Sequence, residues 1–323
     1  MRAATVPTMQ AVRCVGGAPV VVDVPRPDGD GVRVRVGSAG ICGSDLHLLS
    51  FGLPTVMGHE IAGTLLDGTA VAIEPIDPCG TCDACAAGES QRCVRGPGMI
   101  MGVGRDGGMA EECIVPSSSL ARLPAGVAVR DACLVEPLAV AVHGVRRGRV
   151  APGERAVVIG GGTIGLAAAV AAQAVGGRVD QVARHDHQRA AAERLGATAP
   201  DDGDGDGDYD VAIEAAGSPD ALADAIGRCR PGGRVILLGS YWDGPVALDA
   251  MAVCNREIDL VPATMYGRVG PSRDVDVAVA LLARRPEVAG ALITHRFPLD
   301  AVAEAFVAAR DRAAGAIKVV LEP

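Results

Sequence analysis

The spacing of hydrophobic and polar positions changes near Asp131. Before that point apolar residues follow a period of two, most clearly at Val32–Val36, where valine alternates with arginine as in a half-buried strand. Short apolar runs at 61–66, 70–74 and 112–115 are separated by glycine, proline and aspartate, which are typical turn residues. We therefore predict that the first part of the chain is rich in β-strands.

After Asp131, segments with strand and helix spacing alternate. In chain order we predict helix 134–145, strand 156–159, a helix from Thr163, strand 178–183, a helix ending at 195–196, strand 210–213, a helix capped by Ser218, strands 234–238 and 258–261, and helices 274–285 and 299–310 with short strands near Leu292 and at 316–320. The acidic run at 201–208 is predicted as a solvated loop rather than a calcium site, because it lacks the terminal glutamate. This alternation predicts an α/β fold with a parallel, doubly wound sheet.

Length and composition limit the classes of protein that the chain can belong to. At 323 residues we expect two domains, and 49% apolar with 21% charged residues is typical of a folded protein. A net charge of −9 and only 2% aromatic residues argue against a nucleic-acid partner. Lys318 is the only lysine beside 29 arginines, which we interpret as coding bias.

No targeting or membrane segment is expected. Met1–Gln10 lacks the continuous apolar core of a secretory signal. The 22 residues from Ala156 to Gly177 carry no charge, but Gly160–Gly162 interrupts them, so a strand, a turn and a buried helix are expected there. We therefore predict a cytoplasmic protein without a membrane partner.

Four of the ten cysteines form the strongest local motif. Cys79, Cys82, Cys85 and Cys93 are separated by two, two and seven residues. Such spacing places three thiolates on consecutive turns and returns a fourth to complete a tetrahedron. A closed set of four thiolates is typical of a structural zinc site.

The segment from Gly160 to Gly165 has the pattern G-x-G-x-x-G. On its own the pattern is weak, but here a predicted strand precedes it and a predicted helix follows it. In that context the glycines let the backbone approach a pyrophosphate at the helix N-terminus. We therefore predict a dinucleotide site formed by Gly160, Gly162, Thr163, Ile164 and Gly165.

The end of the next predicted strand indicates which dinucleotide binds. Counting back from the end of the following helix places the strand end at Arg184, where NAD-binding sheets carry an acidic residue. Arginine can pair with a 2′-phosphate, and His185 and Arg189 could add donors. Asp180 lies too early and Asp186 too late for the acidic role. We predict NADP(H), with NAD(H) as the alternative.

A second metal site cannot be derived from spacing alone. Cys42, His59, Glu60 and Glu136 are residue types that bind zinc, yet they are far apart in sequence. An isolated cysteine and a distant histidine are more often ordinary core and surface residues. From the residues themselves, both interpretations stay open.

The motifs taken together resemble the zinc-dependent medium-chain alcohol dehydrogenases, in the polyol and threonine dehydrogenase branch. The matching segments occur in the order of that family: GICGSDLH (40–47), GHE (58–60), EPIDPCGTCDACAAGESQRC (74–93), EPLAVAVHGV (136–145), GGGTIG (160–165), IEAAG (213–217) and ITHRFPL (293–299). The resemblance implies a GroES-like catalytic domain at 1–139 with a zinc lobe at 79–93. It also implies a Rossmann domain at 140–267 and a return to the catalytic domain at 268–323.

The resemblance also implies roles for individual residues. Cys42, His59 and Glu136 match catalytic zinc ligands, and Glu60 is either a fourth ligand or a neighbour that exchanges with water. Ser44 matches the hydroxyl that bonds the substrate alcohol, His47 matches the outer end of a proton relay, Asp45 matches the carboxylate that orients His59, and Gly239 matches a cofactor contact.

The expected reaction is hydride transfer between a secondary alcohol and NADP through a zinc-bound alkoxide, with two zinc ions per chain. A polyol, sugar alcohol or cyclitol is the expected substrate class. Segments 48–57 and 66–69 are shorter than in most relatives and leave the individual substrate open. The alternatives are a zinc-free quinone or enone reductase of the same superfamily and a zinc-knuckle binding protein without enzymatic activity. We expect a homodimer or homotetramer that pairs through the strand near 258–261.

Overall fold

The computed structural model describes residues 7–200 and 207–323, and the chain divides into two compact units. The first unit comprises Met1–Glu136, Leu282–Ala289 and Ile293–Pro323, and the second comprises Pro137–Leu281 and Gly290–Leu292. The C-terminal part of the chain therefore returns to the first unit. Positions 201–206 of the acidic run, predicted as a loop, lie outside the described residues.

The strands and helices of the described residues are numbered in chain order. The strands are β1 (Thr8–Val15), β2 (Ala18–Pro25), β3 (Val32–Ile41), β4 (Glu60–Thr64), β5 (Ala70–Ile73), β6 (Glu112–Val115), β7 (Leu120–Arg122), β8 (Arg155–Ile159), β9 (Arg178–Val182), β10 (Tyr209–Glu214), β11 (Cys229–Leu237), β12 (Asp259–Pro262), β13 (Arg268–Val269), β14 (Ser272–Arg273), β15 (Ile293–Pro298) and β16 (Lys318–Glu322). The α-helices are α1 (Gly43–Leu48), α2 (Asp83–Ala86), α3 (Val135–Arg147), α4 (Thr163–Ala174), α5 (Asp186–Arg194), α6 (Pro219–Arg228), α7 (Ala250–Asn255), α8 (Asp274–Arg284), α9 (Glu287–Leu292) and α10 (Val302–Arg310).

The first unit is built on a sheet in the order β15-β16-β3-β4-β5-β7, with β6 also paired to β3. Only the β15–β16 pair is parallel among these paired strands. The predicted alternation in β3 is confirmed, because Val34 and Val36 are buried in the core whereas Arg35 is exposed. One face of the sheet therefore packs into the hydrophobic core, as a period of two requires.

The register of three strands brings distant parts of the sequence to one end of this sheet. β3 pairs antiparallel with β4 on one side, where Gly40 lies opposite Glu60. On its other side β3 pairs antiparallel with β16, where Ile41 lies opposite Val319. The end of β3 and the beginnings of β4 and β16 therefore lie next to one another at the same end of the sheet.

The second unit contains a five-stranded parallel sheet in the order β12-β11-β10-β8-β9. β8 lies between β10 and β9, so the chain moves to opposite sides of β8 after successive strands. The carboxyl ends of β8 and β10 thus flank a point where the strand order reverses, which is where such sheets bind ligands. The α/β fold and the parallel sheet predicted from the sequence are confirmed.

The uncharged stretch at 156–177 forms β8, a glycine turn and the buried helix α4, as predicted. Gly160 has a φ of +121°, which a residue with a side chain rarely adopts. A Cβ on Gly165 would overlap the carbonyl oxygen of Gly160, so only glycine lets the helix pack this close to the strand. In the described part of the chain, no helix has the length and apolar character needed to cross a membrane.

Candidate active site

The four-cysteine motif folds into one compact cluster. The sulfur atoms of Cys79, Cys82, Cys85 and Cys93 all lie within 4.8 Å of one another. Backbone N–H groups point at two of the sulfurs: Cys82 donates to the Sγ of Cys79 at 3.3 Å, and Cys79 donates to the Sγ of Cys93 at 3.2 Å. The fold therefore brings four sulfur donors together and supplies amide donors for anionic sulfur.

The ionisation of these thiols also fits a cation. Hydrogen bonds from the backbone of Thr81 and Cys82 lower the pKa of Cys79 to about 6. Local burial, together with hydrogen bonds to the neighbouring sulfurs, raises the pKa of Cys85 to about 12. Four thiolates this close repel one another, and a bound zinc ion would offset that repulsion.

A second group of polar residues lies where β3, β4 and β16 meet. Cys42 directly follows β3, and its N–H donates to Oδ2 of Asp45 at 2.9 Å. His59 directly precedes β4, with Nδ1 3.5 Å from Oδ1 of Asp45 and Nε2 3.4 Å from the hydroxyl oxygen of Ser44. Asp45 is fully buried and thus fixes which ring nitrogen faces the carboxylate. Nε2 is left facing Ser44, the orientation expected of a histidine ligand held by a carboxylate.

The charge on His59 depends on its neighbours. Burial on its own would lower the pKa of His59, but the carboxylate of Asp45 and the hydrogen-bonded thiol of Cys42 raise it well above its usual value. The surroundings of His59 therefore favour a positive charge on its ring. A metal ion would supply that charge in place of the proton.

Glu136 adds another buried carboxylate from the first turn of α3. It is 8% exposed, and burial raises its pKa to about 7, with the carboxylates of Glu60 and Asp45 adding to the effect. Burial also raises the pKa of Asp45. Three carboxylates in a buried pocket are costly unless positive charge offsets them. The pocket is therefore suited to a divalent cation.

Sequence reasoning missed Lys318 as a member of this group. Its Nζ lies 2.6 Å from both carboxylate oxygens of Glu60 and 2.9 Å from the carbonyl oxygen of Ile41. Lys318 is 2% exposed and Glu60 is 1% exposed. The signal that could have found this residue was its identity as the single lysine in an arginine-rich chain.

The predicted ligands are neighbours but are not all at coordination spacing. Within residues 7–200 and 207–323, the four-cysteine cluster alone places three or more candidate ligand atoms within 4.8 Å of one another. Cys42 lies near enough to His59 to raise the pKa of the imidazole. Glu60, in contrast, directs both oxygens at Lys318.

His47 lies three residues beyond Ser44 on α1 and is exposed. This spacing places the two side chains on neighbouring positions of one helix face. His47 therefore lies at the exposed side of the helix, one turn from the half-buried hydroxyl of Ser44.

In the second unit, the glycine turn lies at the carboxyl end of β8 and begins α4. A Cβ built on Gly162 would meet no atom within 4 Å, so the backbone at this residue borders open space. Gly160 is held from the other side, because Nε2 of Gln181 donates to its carbonyl oxygen at 2.7 Å. Thr163, Ile164 and Gly165 follow in the first turn of α4. The turn is thus open on the side where a pyrophosphate would approach.

The predicted specificity residues occupy the turn between β9 and α5. Arg184 is exposed, and His185 is the N-cap residue of α5. The guanidinium of Arg189 donates to the carbonyl oxygens of Ala183 and Arg184, each at 2.9 Å, and pairs with Asp186. Arg189 therefore holds the turn that presents Arg184.

A buried carboxylate connects the neighbouring strand ends of the same sheet. Glu214, at the end of β10, accepts hydrogen bonds from the N–H groups of Ala216 and Gly217, both at 2.7 Å, and from the hydroxyl of Tyr241 at 2.7 Å. A Cβ on Gly239 would overlap this carboxylate and the backbone of Gly217. Sequence reasoning included Gly239 but missed the pairing of Glu214 with Tyr241. The pairing fixes the loop that carries Gly239.

Comparison with known proteins identifies the family to which the chain belongs. Residues 28–125 match the alcohol dehydrogenase GroES-like domain, and residues 129–322 match the glucose dehydrogenase C-terminus. The 2-dehydro-3-deoxy-L-galactonate 5-dehydrogenase of Pseudoalteromonas atlantica is 31% identical over 87% of this chain and 88% of its own. The L-galactonate-5-dehydrogenase of Escherichia coli is also 31% identical, over 88% and 89%.

A solved structure described as a zinc-binding dehydrogenase from Sinorhizobium meliloti, bound to NADP, is similar with a TM-score of 0.85. It is 29% identical, and the match covers 98% of this chain and 100% of that one. The chain belongs to the zinc-dependent medium-chain dehydrogenases, in the polyol dehydrogenase branch. It is an alcohol dehydrogenase with a GroES-like domain and a Rossmann-like domain, as the sequence motifs predicted.

The pKa of Glu136 predicts how metal binding varies with pH. A ligand must lose its proton to bind metal, so protons compete below the pKa of about 7. We expect the zinc affinity of the Cys42 pocket to fall by at least about ten-fold per pH unit below pH 7. Competition with a chromophoric chelator measures this, with Cys42→Ala reporting the four-cysteine cluster alone. Glu136→Gln should make the slope shallower but not abolish it, because protons still compete at His59, and an affinity that is constant from pH 6 to 7 in the wild type would contradict the assignment.

Proposed function

We propose that the protein is a zinc-dependent oxidoreductase that transfers a hydride between a secondary alcohol of the polyol class and NADP. The observation that carries this proposal is the buried pocket of the first unit, where His59 interacts with Cys42 and Glu136 and lies 3.4 Å from the hydroxyl oxygen of Ser44. A thiolate, an imidazole and a carboxylate form a mixed donor set of the kind found at catalytic zinc sites.

The residues of the pocket would bind zinc and accept the hydroxyl proton of the substrate. When bound, a zinc ion polarises the alcohol oxygen and favours loss of its proton near neutral pH. Asp45 keeps the ring of His59 oriented, since its carboxylate faces Nδ1. Ser44 lies beside Nε2 of His59 and would accept the hydroxyl proton of the substrate. His47 would then pass the proton to solvent from the exposed end of the same helix.

The glycine turn of the second unit would hold the diphosphate of the cofactor through Gly160, Gly162, Thr163, Ile164 and Gly165. Gly162 borders open space and lies directly before the twelve-residue helix α4, whose N-terminal end carries the positive end of the helix dipole. Hydride acceptance itself is the chemistry of the nicotinamide. Gly239 would contribute from the loop that Glu214 and Tyr241 hold in place.

Exposure of Arg184 supports NADP over NAD as the cofactor. Its guanidinium can pair with a 2′-phosphate but cannot accept a hydrogen bond from a ribose hydroxyl. Arg189 supports this role through the carbonyl oxygens of Ala183 and Arg184. The similar structure from Sinorhizobium meliloti binds NADP.

The substrate class follows from the relatives. The two curated relatives are named as dehydrogenases of L-galactonate and of a 2-dehydro-3-deoxy derivative of it, both of which are polyhydroxy acids. We therefore infer a polyhydroxylated secondary alcohol as substrate, with a sugar alcohol or cyclitol as further candidates. A homodimer or homotetramer and a cytoplasmic location remain predictions from the sequence. β12, the strand expected to pair between subunits, lies at the edge of its sheet.

Metal analysis of single variants tests the zinc assignment. We expect two zinc ions per wild-type chain and one in Cys42→Ala or His59→Ala, with activity lost, because each variant removes a ligand of one site. Cys254→Ala is the matched control, since this cysteine is exposed on α7 and should leave both zinc ions and activity intact. Full activity in Cys42→Ala with one zinc per chain would favour the zinc-free reductase alternative and contradict our proposal.

Cofactor kinetics of Arg184→Ala test the NADP assignment. Loss of the charged pair should lower kcat/KM for NADP(H) by about ten-fold or more and leave the value for NAD(H) nearly unchanged. Arg194→Ala removes another exposed arginine, from the last turn of α5, and should change neither value. A wild-type preference for NAD(H), or an unchanged NADP(H) value in Arg184→Ala, would overturn the assignment.

A further inference from the structure

Glu214, at the end of β10, is a buried carboxylate whose described hydrogen-bond partners are all neutral. It is 0% exposed, and it accepts from the N–H groups of Ala216 and Gly217 and from the hydroxyl of Tyr241, each at 2.7 Å. Glu60 in the first unit, by contrast, faces the ammonium of Lys318. The three donors satisfy the oxygens of Glu214 without cancelling its charge, so a cation placed nearby would be stabilised.

The negative charge of the Glu214–Tyr241 pair stays on Glu214. Burial, together with the hydrogen bond to Glu214 and the charge of that carboxylate, raises the pKa of Tyr241. The hydroxyl of Tyr241 therefore keeps its proton at neutral pH and acts as the donor of the pair. The end of β10 thus carries a fixed, buried negative charge.

Close backbone packing connects Glu214 to the proposed dinucleotide site. A Cβ on Gly160, in the glycine turn after β8, would lie 3.1 Å from the amide nitrogen of Ala216, which itself donates to Glu214. On the other side, a Cβ on Gly239 would overlap Oε2 of Glu214. The carboxylate therefore lies between the glycine turn and the loop that follows β11.

The strand order indicates which half of the cofactor Glu214 would face. The sheet runs in the order β12-β11-β10-β8-β9. Arg184, the proposed contact of the 2′-phosphate, follows β9, and the glycine turn that would hold the diphosphate follows β8. The nicotinamide half would therefore extend to the other side of β8, over the carboxyl ends of β10 and β11. Glu214 is the last residue of β10.

We propose that the carboxylate of Glu214 makes the protein discriminate between the two redox states of its cofactor, by stabilising the oxidised nicotinamide ring. The oxidised ring carries a positive charge that the reduced ring lacks, whereas the phosphate charges are the same in both forms. Glu214 therefore attracts the oxidised ring alone, and its repulsion of the phosphates affects both forms equally. Burial strengthens this attraction relative to water. The inference rests on the proposed function, because it concerns the dinucleotide that the glycine turn would hold.

This discrimination affects the direction of the reaction. Hydride transfer converts alcohol and oxidised cofactor into ketone and reduced cofactor. A charge that favours the oxidised ring shifts this equilibrium on the enzyme towards the alcohol and the oxidised cofactor. It also makes the reduced cofactor the more easily released of the two forms.

Equilibrium binding of NADP⁺, NADPH, NAD⁺ and NADH tests the proposal. Trp242, the only tryptophan of the chain, directly follows Tyr241 and supplies a fluorescence signal. In Glu214→Gln the amide oxygen can still accept from Ala216 and Gly217, while its NH₂ group donates to Tyr241. We expect the affinity for the oxidised form to fall relative to the reduced form by about five-fold or more, in both the NADP and the NAD pair. An unchanged ratio in a Glu214→Gln protein that binds cofactor would overturn the proposal.

Variants of Tyr241 separate the charge of Glu214 from its structural role. Tyr241→Lys leaves Glu214 in place and puts an ammonium beside it from a half-buried position, so the ratio should change in the same direction as in Glu214→Gln. Tyr241→Phe removes a hydrogen bond but keeps the charge, and should leave the ratio at its wild-type value. Glu193→Gln removes an exposed carboxylate of α5 and is the matched control without effect. A shift in Tyr241→Phe as large as that in Glu214→Gln would contradict the proposal.

The two levels of the account fail separately. A wild-type protein that binds none of the four dinucleotides would overturn the proposed function itself. Arg184→Ala should change the preference for NADP over NAD and leave the ratio of oxidised to reduced affinity intact. Wild-type binding with a redox ratio that neither Glu214→Gln nor Tyr241→Lys alters would overturn only the role of Glu214.

Discussion

Buried negative charge is the constraint on which the first unit depends. Asp45, Glu60 and Glu136 lie in one pocket with the thiol of Cys42, and each ionised group is costly there without a positive partner. Lys318 offsets Glu60, and Asp45 faces the imidazole of His59. The thiol of Cys42 and the carboxylate of Glu136 remain, and a nearby cation would stabilise both in their ionised forms. A bound divalent metal ion would offset this negative charge, which agrees with the zinc-dependent family to which the chain belongs.

The sheet makes this charge balance geometrically possible. Strands hold side chains more rigidly than loops do, and here the end of β3 and the starts of β4 and β16 hold Cys42, Glu60 and Lys318 close together. The second unit also has a buried carboxylate at a strand end, in this case at the end of β10. There Glu214 is buried and satisfied by two backbone N–H groups and by the hydroxyl of Tyr241. In both units a buried carboxylate at a strand end fixes the groups around it.

Features that depend on short spacing could be predicted from the sequence. The cysteine cluster, the glycine turn after β8 and the Ser218 cap of α6 have this character, and the hydroxyl of Ser218 accepts from the N–H of Ala221 at 3.2 Å. The hairpin of β1 and β2 was missed although Gly16 and Gly17, both with positive φ, form a typical two-residue turn. The start of β11 at Cys229 was also missed, because Pro231, Gly232 and Gly233 are residue types more typical of turns than of strands.

Pairings across long sequence distances could not be predicted. Lys318 and Glu60 are 258 residues apart, and only the order β16-β3-β4 brings them together. Composition singled out Lys318, but composition does not show what a residue contacts. The carry-over from the family named Glu60 as a candidate ligand, and only the structure reveals the cation that competes for it. Arg189 is similar, since its bonds to the Ala183 and Arg184 carbonyls depend on the shape of the turn.

The central claim is that the Cys42 pocket is a second zinc site, distinct from the four-cysteine cluster. Anomalous diffraction at the zinc edge, from crystals of the zinc-loaded enzyme, tests it most directly. The account predicts two peaks per chain, one among Cys79, Cys82, Cys85 and Cys93 and one at Cys42, His59 and Glu136. A single peak, confined to the four-cysteine cluster of fully loaded and active enzyme, would contradict it.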